Sequence, residues 1–188
     1  MKVINKIFSK VKESKKDIIS FVLICAISFS MAMVLKQKVV ILAKIPSESM
    51  ESTINVGDLV LGNRLAYNNS KPKRGEIAIF YAPDKVDTLY IKRIIGLPGD
   101  KVVIDDGKIY INDSKTPLEE DYLEGDWTVL NGYMEYEVPK GSYFMLGDNR
   151  DRSCDSREWV NTYVTEDKIV ARAECIYFPF SDLGSLKE

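Results

Sequence analysis

The sequence predicts a mostly β protein: an N-terminal transmembrane helix, then a β-sheet or barrel-like domain carrying a small β insertion. Three observations point there. Ile18 to Leu35 is a run of 18 residues without a charge, just long enough for a bilayer core that needs about 20 mostly apolar residues. From residue 40 onward the apolar runs are short, rich in branched side chains and bounded by Gly, Pro, Asn or Asp, the signature of strands. Asp106-Gly107 lies between two of these runs and is a strong hairpin signal.

Residues 1–17 hold six lysines against Glu13 and Asp17, a net of +4. Such an arm stays in the cytoplasm and places everything after Leu35 outside. An uncleaved anchor is favoured over a cleaved export signal, a buried helix or an interfacial helix. The apolar run is long for an export signal and ends in Leu35-Lys36-Gln37-Lys38 rather than in small residues. The expected organisation is a basic arm over 1–17, an anchor over 18–35 and an extracytoplasmic β-rich domain over 40–184. The whole chain carries −2, so the part beyond the arm carries −6, which argues against nucleic acid as a partner.

In order, the strand candidates are Asp58–Leu61, Glu76–Phe80, Lys101–Ile104 and Lys108–Ile111. Tyr143–Leu146 is a further apolar run, and residues 170–178 alternate between unlike faces. The acidic, irregular stretch from about 106 to 138 reads as the insertion. No helical period of useful length follows the anchor.

Composition narrows the chemistry. The chain has no histidine, which removes Ser-His-Asp and Cys-His mechanisms and the paired-histidine zinc motif. A hydrolase with a side-chain nucleophile would need lysine, a carboxylate or the terminal amine as base. Cys25, Cys154 and Cys175 show no metal or redox spacing, so neither a metal nor a cofactor is expected. A Cys154–Cys175 bridge is open to a protein outside the cell, but free thiols are the simpler reading.

Three separated stretches then matter together. Ile45-Pro46-Ser47-Glu48-Ser49-Met50-Glu51-Ser52-Thr53 packs three serines and a threonine into nine residues. In isolation that is an ordinary polar loop. Thr88 to Asp100 is strand-like and carries Lys92; period two places Tyr90 and Ile94 on its face, with Ile91, Arg93 and Ile95 opposite. A lysine base must be neutral, and burial among such neighbours lowers its pKa. Most strand lysines, however, are simply solvated. Gly147 to Arg157 is a turn with three aspartates and three arginines, which could pair only with one another. It follows Tyr143–Leu146, so a serine or aspartate in it could accept a hydrogen bond from the lysine amine.

All three stretches match one family. The chain resembles type I signal peptidases, membrane-bound Ser/Lys endopeptidases that remove signal peptides from exported preproteins, and looks most like their short, single-anchor bacterial form. The resemblance also covers Arg74–Phe80 and the closing Tyr177-Phe178-Pro179-Phe180. It implies Ser49 as nucleophile and Lys92 as general base, with the Ser47 hydroxyl and the Ser49 backbone N–H forming the oxyanion hole. It implies that Ser153 hydrogen-bonds the lysine amine, that Asp155 supports the loop, and that Ile45, Met50, Tyr90 and Ile91 line shallow pockets for small residues before the cut. Secretory preproteins and membrane lipid are the implied partners. Two departures stand out: Glu48 where some relatives have glycine, and Ser52 where proline is usual, which leaves the turn after the nucleophile less rigid.

Two rival readings follow from the same residues. A self-cleaving, repressor-type Ser/Lys peptidase would carry a DNA-binding domain and a cleavable linker, and neither is visible. An inactive, membrane-tethered assembly partner would have lost the serine or the lysine, and both are present.

Overall fold

The computed structural model describes residues 2–186. The chain divides into two compact units, Met1–Val39 and Val40–Glu188. The first is helical: α1 spans Lys2–Val34 and runs into a π-helical turn over Leu35–Val39. Within it, Asp17–Lys38 is long and apolar enough to cross a membrane. Its apolar side chains from Ile18 to Leu35 are exposed, as suits a helix whose solvent is lipid.

The second unit is built from antiparallel strands. In chain order they are β1 (Val40–Lys44), β2 (Leu59–Asn63), β3 (Ile77–Tyr81), β4 (Leu89–Gly96), β5 (Lys101–Asp105), β6 (Lys108–Ile111), β7 (Met134–Glu137), β8 (Ser142–Leu146), β9 (Val164–Thr165), β10 (Ile169–Phe178) and β11 (Gly184–Ser185). The main sheet runs β1-β2-β10-β3-β4-β8-β9, with β11 paired to β10. A separate sheet has the order β6-β5-β7. It therefore takes in Lys101–Asp105, upstream of the expected edge at 106, because β5 pairs with β6 and β7 and not with the main sheet. Asp106 and Gly107 form its hairpin, both with positive φ (46° and 69°), the geometry a tight primed turn requires. Beyond α1 and its π turn, helical structure among the described residues is confined to short 3-10 turns.

The position of β4 organises the core. It lies between β3 and β8, with Ala78 opposite Lys92, Phe80 opposite Tyr90, and Met145 opposite Ile94. Side chains alternate across a strand, and directly opposed residues share a face. The face of Lys92 thus holds Ala78, Phe80, Ile94 and Met145, which form a buried cluster with Tyr143, Trp159 and Val164. Ile95 points the other way, into a second cluster with Phe144, Leu146, Trp127 and the inner side chains of the small sheet. Both faces of β4 are covered there. A lysine in the middle of such a strand loses its water.

Candidate active site

Ser49 sits in a single 3-10 turn, Glu48–Met50, entered from the extended residue Ser47. The turn is pinned from inside the core. Met50 and Ile54 are fully buried beside Ile45, Val60, Ile77 and Ile176, and the Ile54 amide donates to the Met50 carbonyl at 2.7 Å. Only the polar side of the turn is left for the groove.

Lys92 reaches that side from β4. It is 5% exposed, its Nζ donates a hydrogen bond to Ser49 Oγ, and it lies 6.0 Å from the centroid of the Tyr90 ring. Burial lowers its pKa from the ordinary 10.5 to about 8, although Asp155, Cys154 and Asp148 pull the other way. Desolvation of the ammonium outweighs the nearby negative charge. When the amine loses its proton, the same contact runs in reverse and Ser49 Oγ–H becomes the donor. Ser47 Oγ lies 3.4 Å from Ser49 Oγ, on the exposed side of the turn.

The loop from Gly147 to Arg157 forms the opposite wall. Most of its charges reach outward: Asp148, Arg150 and Arg152 find partners in other segments. Asp148 makes a two-point ion pair with Arg93, the neighbour of Lys92 on the far face of β4, at 2.9 and 2.8 Å. It also accepts from Thr53 Oγ1 at 2.6 Å. One carboxylate therefore ties the strand of Lys92 to the segment that follows Ser49. Arg150 pairs with Glu120, and Arg152 crosses to Glu48. Asp155 stays within the loop: it pairs with Arg157 at 2.8 Å, both side chains fully buried, and accepts the Gly147 amide at 3.0 Å. The Asn149 amide donates to the Ser49 carbonyl at 3.2 Å. Gly147 is needed at this approach, since a Cβ there would overlap both the Ser49 carbonyl oxygen and the Ser153 side chain.

The expected residues are thus brought together, with differences in detail. Ser153 is buried beside Gly147, but its hydroxyl has no hydrogen-bond partner among the described residues. The Lys92 amine meets Ser49 instead of Ser153. Ile45 and Met50 are 2% and 0% exposed and belong to the core cluster, because the apolar side of the turn faces inward. The groove, about 350 Å³, is lined by Pro46, Ser47, Ser49, Thr88 to Lys92, Arg152 and Cys154. Of the four expected pocket residues, Tyr90 and Ile91 are the ones it exposes. The Tyr90 ring rests 5.9 Å from Trp159, a support that no local sequence signal marked. Cys25, Cys154 and Cys175 are unbridged.

The family model described as "Signal peptidase, peptidase S26" matches residues 18–178. The chain belongs to the signal peptidase S26 family. It is 36% identical over 149 residues to a signal peptidase I of Leptolyngbya laminosa, covering 76% of this chain and 70% of that one. To signal peptidase IB of Staphylococcus aureus it is 31% identical over 182 residues, covering 89% and 93%. A crystal structure of a signal peptidase I from Enterococcus faecalis is 34% identical, covers 55% of this chain and 97% of that one, and superposes with a TM-score of 0.47.

Proposed function

We propose that this S26 peptidase is a membrane-anchored serine endopeptidase that cleaves signal peptides from exported preproteins after small residues, with Ser49 as nucleophile and Lys92 as general base. The observation that carries the reading is the hydrogen bond between Lys92 Nζ and Ser49 Oγ on a buried apolar face. In a chain without histidine, it supplies the base that a serine hydroxyl lacks by itself.

Neutral Lys92 takes the proton of Ser49 Oγ as the oxygen attacks the scissile carbonyl. Negative charge develops on the carbonyl oxygen, where the Ser49 N–H and the Ser47 hydroxyl are the donors at hand. The tetrahedral intermediate collapses, the Lys92 ammonium gives its proton to the leaving amine, and the signal peptide remains as an ester on Ser49. Water then attacks the ester as Lys92 takes its proton, and the Ser49 Oγ–carbon bond breaks with that proton passed to Oγ, which frees the signal peptide as its carboxylic acid and leaves Lys92 neutral again. The Asp155–Arg157 pair and the Asp148 bridge hold the two walls of the groove in place. Ser153 would act as a polar neighbour that receives the amine when it leaves Ser49.

Tyr90 and Ile91 make a shallow apolar wall suited to small side chains. The six lysines ahead of Ile18 favour an N-terminus-in anchor, with the catalytic domain on the far side of the membrane. The test of the chemistry is intact mass of a preprotein after incubation with the full-length enzyme in detergent. Wild type should release the signal peptide and Ser49→Ala should not. More than a trace of cleavage by a folded Ser49→Ala variant would refute the assignment.

A further inference from the structure

Glu48 is the residue whose carbonyl joins the Ser49 amide, so its side chain hangs from the same peptide unit that, on the proposed reading, stabilises the oxyanion. A carboxylate there opposes a second negative charge forming close by. The 3-10 turn sets the two side by side: it turns Ser49 inward and leaves Glu48 exposed. Glu51, the other carboxylate of this stretch, accepts from the neutral Asn149 amide at 3.4 Å. Glu48 instead meets a cation. Arg152 Nη1 comes from the opposite wall, 104 residues further along the chain, and lies 2.5 Å from Glu48 Oε2.

The pair does little for stability. The two side chains are 67% and 46% exposed, and pairs of that kind contribute little to folding. Its location is what counts. Arg152 lines the groove with Ser49 and Lys92 and immediately precedes Ser153. We propose that Arg152 is a positioning residue for the reaction: by engaging Glu48 it cancels the charge that would otherwise repel the developing oxyanion. This rests on the Ser49/Lys92 reading and adds the electrostatic condition under which that site works. An uncompensated, partly exposed unit charge beside the reacting oxygen changes a rate by about three- to tenfold.

The test uses full-length protein in detergent, one preprotein and single-turnover cleavage at low salt. Arg152→Ala should slow the step about three- to tenfold, with the half-saturating substrate concentration changed by less than about twofold. Arg152→Lys, which keeps the charge, should retain most of the rate. Glu48→Gln should restore it: the Glu48→Gln/Arg152→Ala double variant should match Glu48→Gln alone within about twofold. The Arg152→Ala deficit should also shrink in 1 M salt, where the screening length falls to about 3 Å. A deficit that persists in the double variant, an equal deficit in Arg152→Lys, or no deficit in Arg152→Ala would overturn the proposal. Ser49→Ala in the same assay keeps the two readings apart, since residual cleavage there fails the Ser/Lys assignment whatever Arg152 does.

Discussion

Replacing Lys92 by methionine separates the cost of a buried ammonium from the loss of the side chain. In the folded protein the Lys92 pKa falls from 10.5 to about 8 because burial strips water from the ammonium. As pH drops from 10.5 toward 8, the unfolded chain takes up a proton that the folded chain refuses. Wild-type stability therefore falls through that window, and below pH 8 the penalty is fully present. Its size is about 3 kcal/mol at pH 7, about 2 kcal/mol at pH 9 and about 1 kcal/mol at pH 10. Methionine fills similar space and carries no charge, so it escapes the penalty. It forfeits the hydrogen bond to Ser49, at about 1 kcal/mol. Near pH 7, Lys92→Met should be the more stable protein by about 2 kcal/mol, or about 4–8 °C in Tm for a domain of this size. That advantage should vanish as pH rises to 10. The assay is thermal unfolding of full-length protein in mild detergent at intervals from pH 6.5 to 10.5. A gap that does not change with pH, or a methionine variant that is less stable at pH 7, would refute the account of Lys92. The same titration fixes catalysis: wild-type single-turnover cleavage should rise with pH around a midpoint near 8, and Lys92→Met should not cleave at any pH.

Gly147→Ala places a Cβ against the Ser49 carbonyl oxygen and Ser153, so the wall and Ser49 must separate. Cleavage should fall by about a hundredfold, with a stability loss of about 1–3 kcal/mol, measured by single-turnover kinetics beside circular dichroism; near-normal cleavage would show that the close approach is not needed. For topology, protease added to intact spheroplasts should digest the domain beyond Val40. A domain protected until the membrane is broken would reverse the proposed orientation.

How much of this was legible in the sequence depends on how far apart the partners lie. The long apolar helix and the Asp106-Gly107 hairpin are local patterns, and both appear in the structure. Lys92 was half legible. Period two put Tyr90 and Ile94 on its face, but Ala78, Phe80 and Met145 arrive from β3 and β8. Strand order cannot be read from one strand. The ion pairs were hidden for the same reason: Arg93 and Asp148 are 55 residues apart, Glu48 and Arg152 are 104 apart, and no periodicity links such positions. Hence self-pairing stayed open for the loop from Gly147 to Arg157, where Asp155 and Arg157 do pair with each other while Asp148, Arg150 and Arg152 clamp other segments. Met50 shows the opposite failure. The family resemblance implied a pocket residue, yet a one-turn helix sends neighbouring side chains different ways, and Met50 packs in the core.

Ser52 has a consequence for anyone editing this enzyme by comparison with its relatives. Its φ is 81°, in the left-handed region, and its hydroxyl donates to the Tyr122 carbonyl at 3.1 Å. The turn after Ser49 is therefore held by a contact to the 118–126 segment, not loosened by the missing ring. Proline fixes φ near −65°, roughly 145° away from this conformation. A proline at position 52, ordinarily a safe way to stiffen a loop, would force the backbone beside Ser49 to refold. Glycine, which adopts positive φ freely, is the replacement this backbone accepts.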